Sequence, residues 1–212
     1  MLWTNHSGNQ AELSTLGCLM NLDIDRVKVD DNCNYPLAGV LNAGRGLISR
    51  GVILGSETEY TTLNRMRAGQ VIMRKLTAWE GPISVVPHEF DDYFASAEFP
   101  TFALKTGLSA KYFTHVCRTP RLLDEMKNRV TGTVQRRKRL NPEQLLEVQL
   151  PIPVFSRQEV VADALDAMYD LLALLTDELA ALRRVRADLL SALLSQEITV
   201  DEAVDQFIEP AA

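Results

Sequence analysis

The C-terminal third of the chain carries a seven-residue repeat of apolar residues. With Leu165 taken as position a, every a and d position except Arg186 is apolar through residue 193. These apolar positions are Leu165, Met168, Leu172, Leu175, Leu179, Leu182, Leu189 and Leu193. A helix with such a stripe buries it against another helix. The repeat therefore predicts a long helix that forms an interface.

The ends of this helix have their own sequence signals. Ser156 and Glu159 have the spacing of a capping box, so we expect the helix to begin there and to continue to about Ser195. At 1.5 Å per residue it would be roughly 58 Å long. Thr199 and Glu202 repeat the capping box and predict a short final helix ending at Ile208. We therefore divide the chain into residues 1–153 and residues 154–212.

The first part of the chain has a different pattern, with short apolar runs separated by glycine and proline. Runs of strand length occupy residues 37–41, 52–54, 71–73, 83–86 and 148–150. Two helices are expected over residues 109–118 and 120–130, the second with Thr119 as N-cap and Pro120 in its first turn, and a further helix begins at Asn141 and Pro142. This mixture predicts an α+β (mixed α/β) domain with an irregular sheet.

Composition limits the class of protein. The 46% hydrophobic content is that of a globular chain, no run of about 18 apolar residues is present, and the polar start lacks the pattern of a secretory signal. The cytoplasm is therefore the expected location. Cys18, Cys33 and Cys117 form no C-x-x-C pair, so we interpret them as reduced packing residues.

The net charge of −6 hides two unlike regions. Residues 151–212 contain 4 basic and 12 acidic side chains, whereas residues 35–139 contain 16 basic and 9 acidic ones. Attraction to phosphate is local, because salt screens charges beyond roughly 8 to 10 Å. The first domain can therefore bind a polyanion, although scattered surface charge would give the same counts.

Basic residues cluster at three places. Four adjacent cations, Arg136, Arg137, Lys138 and Arg139, repel one another unless an anion or a solvated loop relieves them. Arg74 and Lys75 precede Trp79, which is either a core residue or a contact to sugar or base. Arg45 lies at the tip of a glycine-flanked loop over residues 42–46, whose glycines permit positive φ and close backbone approach.

Common catalytic and metal-binding signatures are missing from the sequence, including the phosphate-binding loop and the nucleophile elbow. The three histidines lie in different expected elements, so we assign no catalytic residue and no metal site. Glu125 and Lys127 have the spacing of a nuclease pair, but a solvated helix surface has the same pattern.

Several segments, in this order, resemble the specificity subunit of type I restriction-modification enzymes. They are Y-P-L-A-G-V at 35–40, G-R-G-L-I-S-R at 44–50, G-Q-V-I at 69–72, R-K-L-T-A-W-E-G at 74–81, S-A-E-F-P at 96–100, Gly132 with Arg136 and Arg137, and L-P-I-P at 150–153. The resemblance extends from about residue 13 to residue 195. Two departures are Arg157-Gln158, where many members have Glu-Gln, and Ser96-Ala97-Glu98, where an asparagine commonly precedes the glutamate.

The resemblance implies a DNA target recognition domain followed by a conserved spacer helix. Family members usually hold two of each, so one domain and one helix imply a half-subunit that pairs with its own copy through antiparallel helices. Two-fold symmetry would then require a palindromic target with an unread spacer, its half-sites separated by at most about 17 base pairs. The chain itself needs no cofactor, since methylation belongs to a partner methyltransferase subunit that binds S-adenosylmethionine, and cleavage to a restriction subunit.

We therefore expect a non-catalytic reader of double-stranded DNA. The candidate contacts are Arg45, Arg50, Arg74, Lys75, Arg136, Arg137 and Arg139. A coiled-coil adaptor without DNA binding and a stand-alone nuclease using Glu125 and Lys127 are the alternatives.

Overall fold

The computed structural model describes residues 2–4, 11–132 and 138–198. The chain divides into two compact units, Met1–Asp163 and Ala164–Ala212. The first unit contains the mixed domain together with the first turns of the long helix. The short final helix expected over residues 199–208 lies outside the described residues.

The described part of the first unit consists of short strands and helices. The strands are β1 (Leu13–Thr15), β2 (Met20–Leu22), β3 (Asp25–Lys28), β4 (Asn34–Val40), β5 (Leu47–Leu54), β6 (Thr62–Arg65), β7 (Val71–Met73), β8 (Ile83–Val85), β9 (Phe94–Ala95), β10 (Thr101–Leu104) and β11 (Gln149–Pro151). The helices are α1 (Leu16–Leu19), α2 (Ala110–Val116), α3 (Pro120–Arg129), α4 (Pro142–Leu146) and α5 (Phe155–Leu194). All the predicted strand runs contain strands, and the predicted fold class is confirmed.

Within the described residues the strands form three sheets. One has the order β3-β6-β9-β4-β5, a second has the order β2-β10-β7-β8, and β1 pairs with β11. Neighbouring strands are antiparallel except for the contact between β4 and β9, where Leu37 is the partner of Phe94. The strands adjacent in space are often distant in sequence, which is why pattern alone did not predict this order.

The core lies between the sheets and helices α2 and α3. Phe102, Tyr112 and Phe113 are fully buried, and every residue of β7 and β8 is buried. Burial also raises the pKa of the Cys117 thiol, which therefore stays protonated at neutral pH.

Of the three cysteines, Cys117 is the buried packing residue that we expected. Cys18 and Cys33 are exposed, so the interpretation as packing residues was wrong for these two. Cys18 lies in the short helix α1, and Cys33 lies directly before β4.

Local capping explains where α2 and α3 begin. The Ser109 hydroxyl accepts a hydrogen bond from the Tyr112 amide at 3.2 Å. The Thr119 hydroxyl accepts from the Leu122 amide at 3.4 Å, with Pro120 in the first turn. The predicted N-cap at Thr119 is confirmed, since its oxygen satisfies an amide that the helix leaves free.

The long helix α5 contains 40 residues and ends at Leu194, close to the predicted end. It begins at Phe155, so Ser156 lies within the first turn and the predicted cap at Ser156 was wrong. The amides of Arg157 and Gln158 donate instead to the Val154 carbonyl, at 2.9 and 3.1 Å. No helix in the described residues is long and apolar enough to span a bilayer.

Gln158 attaches the start of α5 to the domain. Its side chain is fully buried, and its Oε1 accepts from the Ser109 amide at 2.8 Å. Its Nε2 donates to the carbonyls of Gly107 and Pro153, at 2.7 and 2.8 Å. Three backbone groups, those of Ser109 and Pro153 in buried bonds and that of Gly107 in a partly buried one, are thereby satisfied by one amide side chain.

Gln158→Met should lower the free energy of unfolding by about 2 to 4 kcal/mol, because methionine fills the space but leaves these backbone groups unsatisfied. Urea denaturation of the full chain measures this. Gln149→Met makes the same change at an exposed strand position and should change the free energy by less than about 0.5 kcal/mol. Equal effects of the two substitutions would contradict the role of Gln158.

Candidate nucleic-acid interface

The loop over residues 42–46 is held from two sides. The Leu41 amide donates to the Gly46 carbonyl at 2.9 Å and closes the loop. Gly44 has φ +64, and a Cβ placed on it would lie 2.1 Å from the Cys117 carbonyl oxygen, so only glycine fits there. The loop consequently presents Arg45, which is exposed and whose Nε donates to the Asn42 carbonyl at 3.1 Å.

A second contact joins this loop to the turn over residues 76–81. The amides of Ala43 and Gly44 donate to the carbonyls of Glu80 and Gly81, at 2.9 and 3.1 Å. Thr77 and Gly81 are both in the left-handed region, so the chain turns sharply at each end of the 3₁₀ turn Ala78–Glu80. The loop and the turn therefore form one surface.

Arg74 is the side chain that links the two segments. Its Nε donates to the Leu76 carbonyl at 2.9 Å, and its Nη2 donates to Asn42 Oδ1 at 3.1 Å, Thr77 Oγ1 at 2.6 Å and Glu80 Oε2 at 3.0 Å. The side chain is only 26% exposed. With these acceptors in place, Arg74 holds the turn against the loop and adds positive charge beneath the surface.

Lys75 and Arg139 lie beside this turn. Leu76 and Arg139 form an isolated antiparallel bridge, and the Leu140 amide donates to the Lys75 carbonyl at 3.0 Å. Arg139 Nη1 lies 3.2 Å from Glu98 Oε1, while its side chain stays about half exposed. The structure thus brings together Arg45, Arg74, Lys75 and Arg139, which are far apart in sequence.

Glu98 was not among the predicted site residues. Its Oε1 pairs with Arg139, and its backbone carbonyl accepts from the Lys75 amide at 2.9 Å. Its Oε2 is shielded from solvent and has no hydrogen-bond partner among the described residues. The signal that would have found it is the S-A-E-F-P segment, which was used only as part of the family pattern.

Arg50 lies on β5 at a break in register. Pairing with β4 shifts between Pro36 and Ala38, and Gly51 has φ +88, so an extra residue of β5 bulges there. The exposed Arg50 side chain crosses the backbone of Gly39, where an added Cβ would lie 2.9 Å from Arg50 Nε. Arg50 and Arg74 both line a cavity of about 220 Å³.

Two of the candidate contacts, Arg136 and Arg137, lie outside the described residues. Trp79 is half-buried, and its Nε1 is shielded without an acceptor in the described part of the chain. Its ring therefore belongs more to the domain interior than to an open stacking surface.

The alternative nuclease pair has a different environment. Glu125 forms an ion pair with Arg129 one turn along α3, and Lys127 is exposed. Residues two apart on a helix point in different directions. Glu125 and Lys127 therefore form a helix surface rather than a common site.

The heptad stripe of α5 is uncovered over most of its length. Met168, Leu175 and Leu182 are 60%, 52% and 59% exposed, and the stripe continues beyond them. Additional exposed residues widen it, namely Leu171, Leu174, Val185, Leu190 and Leu194. Among the described residues of the second unit, this face has no helix packed on it.

Comparisons by sequence give no match, either to a protein-family model or to a curated protein. Comparison of structures does find similar folds. The crystal structure of the HsdS subunit from Thermoanaerobacter tengcongensis matches with a TM-score of 0.63 and 16% identity, over 84% of this chain and 44% of that one. A structure of the type I restriction-modification system, determined to explain its assembly and conformational transition, matches with a TM-score of 0.62 and 17% identity, over 84% of this chain and 45% of that one.

This chain thus spans slightly less than half the length of the chains it matches. The chain has the fold of the type I restriction-modification specificity subunits.

Proposed function

We propose that this chain is a non-catalytic, sequence-specific DNA-recognition unit of a type I restriction-modification system, acting in the cytoplasm. The observation that carries the proposal is the shared fold, which covers 84% of this chain in both comparisons. The gathering of Arg45, Lys75 and Arg139 on one surface supports it, because guanidinium and ammonium groups bind phosphates and base edges.

Within that surface the arginines have different roles. Arg45 is exposed at the tip of a loop that two segments hold in place, so it is suited to reach a base edge in the major groove. Arg136 and Arg137 belong to a run of four cations, which we assign to phosphate contacts. Arg74 positions the loop, since its Nε and Nη2 donors already bond the loop and the turn.

Arg45→Ala should therefore relax the preference at one base position at a cost of about 1 to 3 kcal/mol, while Arg137→Ala should weaken binding to all sequences similarly. Selection from a random duplex library, followed by titration of selected and random duplexes, measures both effects. An equal loss on both duplexes for Arg45→Ala would refute its role in base reading.

We further propose that two copies pair through α5. Burying an apolar side chain contributes about 1.5 to 3 kcal/mol, and the uncovered stripe contains leucines along several helical turns. The charges favour antiparallel pairing. Residues 155–178 hold six acidic side chains and one basic one, whereas residues 179–194 hold one acidic and three basic ones. An antiparallel pair places the acidic half of each helix against the basic half of the other, so Arg183 and Arg186 face acids instead of each other.

Leu175→Asp should convert the dimer to monomers, because it places a charge in the centre of the seam. Multi-angle light scattering of the purified chain gives the mass. Ala180→Asp adds the same charge at a b position away from the seam and should leave the dimer intact. A dimer that persists in Leu175→Asp would contradict pairing through this stripe.

The two-fold symmetry of such a dimer requires a palindromic target interrupted by an unread spacer. The stripe is wider than a two-helix seam needs, and we assign the excess to docking of methyltransferase subunits. S-adenosylmethionine would bind to that partner.

Methylation mapping tests the function as a whole. Host DNA with the gene should contain methylated, interrupted palindromes that lose their methylation when the gene is deleted. Methylation at sites without two-fold symmetry would contradict the dimer, and an unchanged methylation pattern would contradict the function. A dimer without affinity for any duplex would instead favour the coiled-coil adaptor.

A further inference from the structure

The cavity lined by Arg50 and Arg74 has the chemistry of a binding site. Its volume of about 220 Å³ corresponds to about seven waters at about 30 Å³ each. That volume suits a fused aromatic ring better than a single phosphate group. Aromatic side chains of Tyr60, Phe94 and Phe99 form part of its wall, and such walls stack against flat rings.

The two arginines at this cavity are in different states. The Arg74 guanidinium bonds the acceptors of the turn and loop, and its charge is paired with the Glu80 carboxylate. No acceptor among the described residues contacts the Arg50 guanidinium, although the side chain is laid across Gly39. Its donors are consequently available to a ligand.

The local backbone directs Arg50 toward the cavity. The bulge before Gly51 shifts the register of β5, and Gly39 leaves room for the side chain to cross β4. Bulges commonly re-aim side chains beside binding sites. Gly39 has an extended φ that any residue can adopt, so its backbone conformation does not require glycine. The absence of a side chain at Gly39 instead leaves space for the Arg50 guanidinium.

We propose that this cavity binds a guanine base, with its ring against the aromatic wall and its O6 and N7 atoms accepting from the Arg50 fork. Arginine pairs with these two adjacent acceptors in a bidentate manner. Residues 39 and 40 of the wall lead directly into the loop that presents Arg45, and Arg74 contacts both the cavity and that loop. The base comes from the bound duplex and is flipped out of the base stack. This choice of source rests on the proposed DNA-binding function. A free guanine nucleotide has the same chemistry.

The site itself is tested by titrating the full-length protein with dGMP and 7-deaza-dGMP, followed by nuclear magnetic resonance. We expect saturable shifts at the cavity residues, with binding weaker by about tenfold for 7-deaza-dGMP, which lacks N7, and for Arg50→Lys, which lacks the fork. Gly39→Ala should weaken dGMP binding similarly while the unfolding free energy is retained, because only the flexible end of Arg50 must move. Arg26→Lys, on β3 and outside the cavity wall, is the matched control and should bind normally.

The source is tested with a selected duplex that carries a fluorescent guanine analogue at each position in turn. Emission that rises on binding at one position, and fails to rise with Arg50→Lys, supports a base taken from the duplex. If dGMP binding depends on Arg50 but no duplex is selected at all, the cavity is a site for a free guanine nucleotide. That result would refute the proposed DNA-binding function instead. Two results would overturn the assignment of a guanine site. One is no saturable dGMP binding together with no change in emission, and the other is dGMP binding that Arg50→Lys leaves unchanged.

Discussion

The candidate interface depends on the hydrogen bonds of Arg74. A guanidinium that is only 26% exposed is costly unless its donors are satisfied. Here a carboxylate, a hydroxyl, an amide oxygen and a backbone carbonyl satisfy them. These acceptors come from the loop before β5 and from the turn after β7, so the arginine can be accommodated only when the two segments meet. The requirement to satisfy one partly buried charge therefore fixes where Arg45 is presented.

Much of the secondary structure could be predicted because its causes are local. Apolar runs bounded by glycine and proline contain strands, and Thr119 with Pro120 begins α3 since both act within one turn. The long helix was evident because its repeat extends over several heptads. Gly44 likewise has the close backbone contact that its place in the loop implied.

Apart from the start of α5, what could not be predicted depends on partners distant in sequence. Ser156 has the pattern of a cap, but the Val154 carbonyl accepts the first helical bonds, and the helix begins before the serine. Arg74 is as basic as Arg45, yet Asn42, 32 residues away, and the turn beside it direct Arg74 inward. Glu98 is a site residue only because the bridge between Leu76 and Arg139 brings Arg139 to it. The pairs Asn42–Arg74 and Glu98–Arg139 are too far apart to fall within one sequence motif. The sequence pattern therefore predicts the types of residue at the site but not where their side chains point.

The structure gives a physical reason for the glutamine at position 158, which belongs to the family pattern that the sequence resembles. Of the Glu-Gln pair in the family pattern that the sequence resembles, this chain has the glutamine, with arginine in place of the glutamate. Gln158 is fully buried and serves the Ser109 amide and two carbonyls, which need both a donor and an acceptor at one point. Arg157 makes no comparable set of bonds, because its side chain is partly exposed and its shielded Nε has no hydrogen-bond partner among the described residues.

The uneven distribution of charge reconciles an acidic chain with the proposed DNA partner. Twelve of the 28 acidic residues follow residue 150, where only four basic residues lie. Because salt limits electrostatic attraction to about 8 to 10 Å, phosphates at the Arg45 surface respond to the local basic side chains far more than to the net charge. An acidic helix also repels duplex that approaches it directly, which lowers non-specific binding without weakening the contacts of the domain. This arrangement favours the proposed sequence specificity, because a DNA-recognition unit must discriminate its own site from a large excess of other duplex. When attraction is confined to one surface, the contacts at that surface determine the affinity.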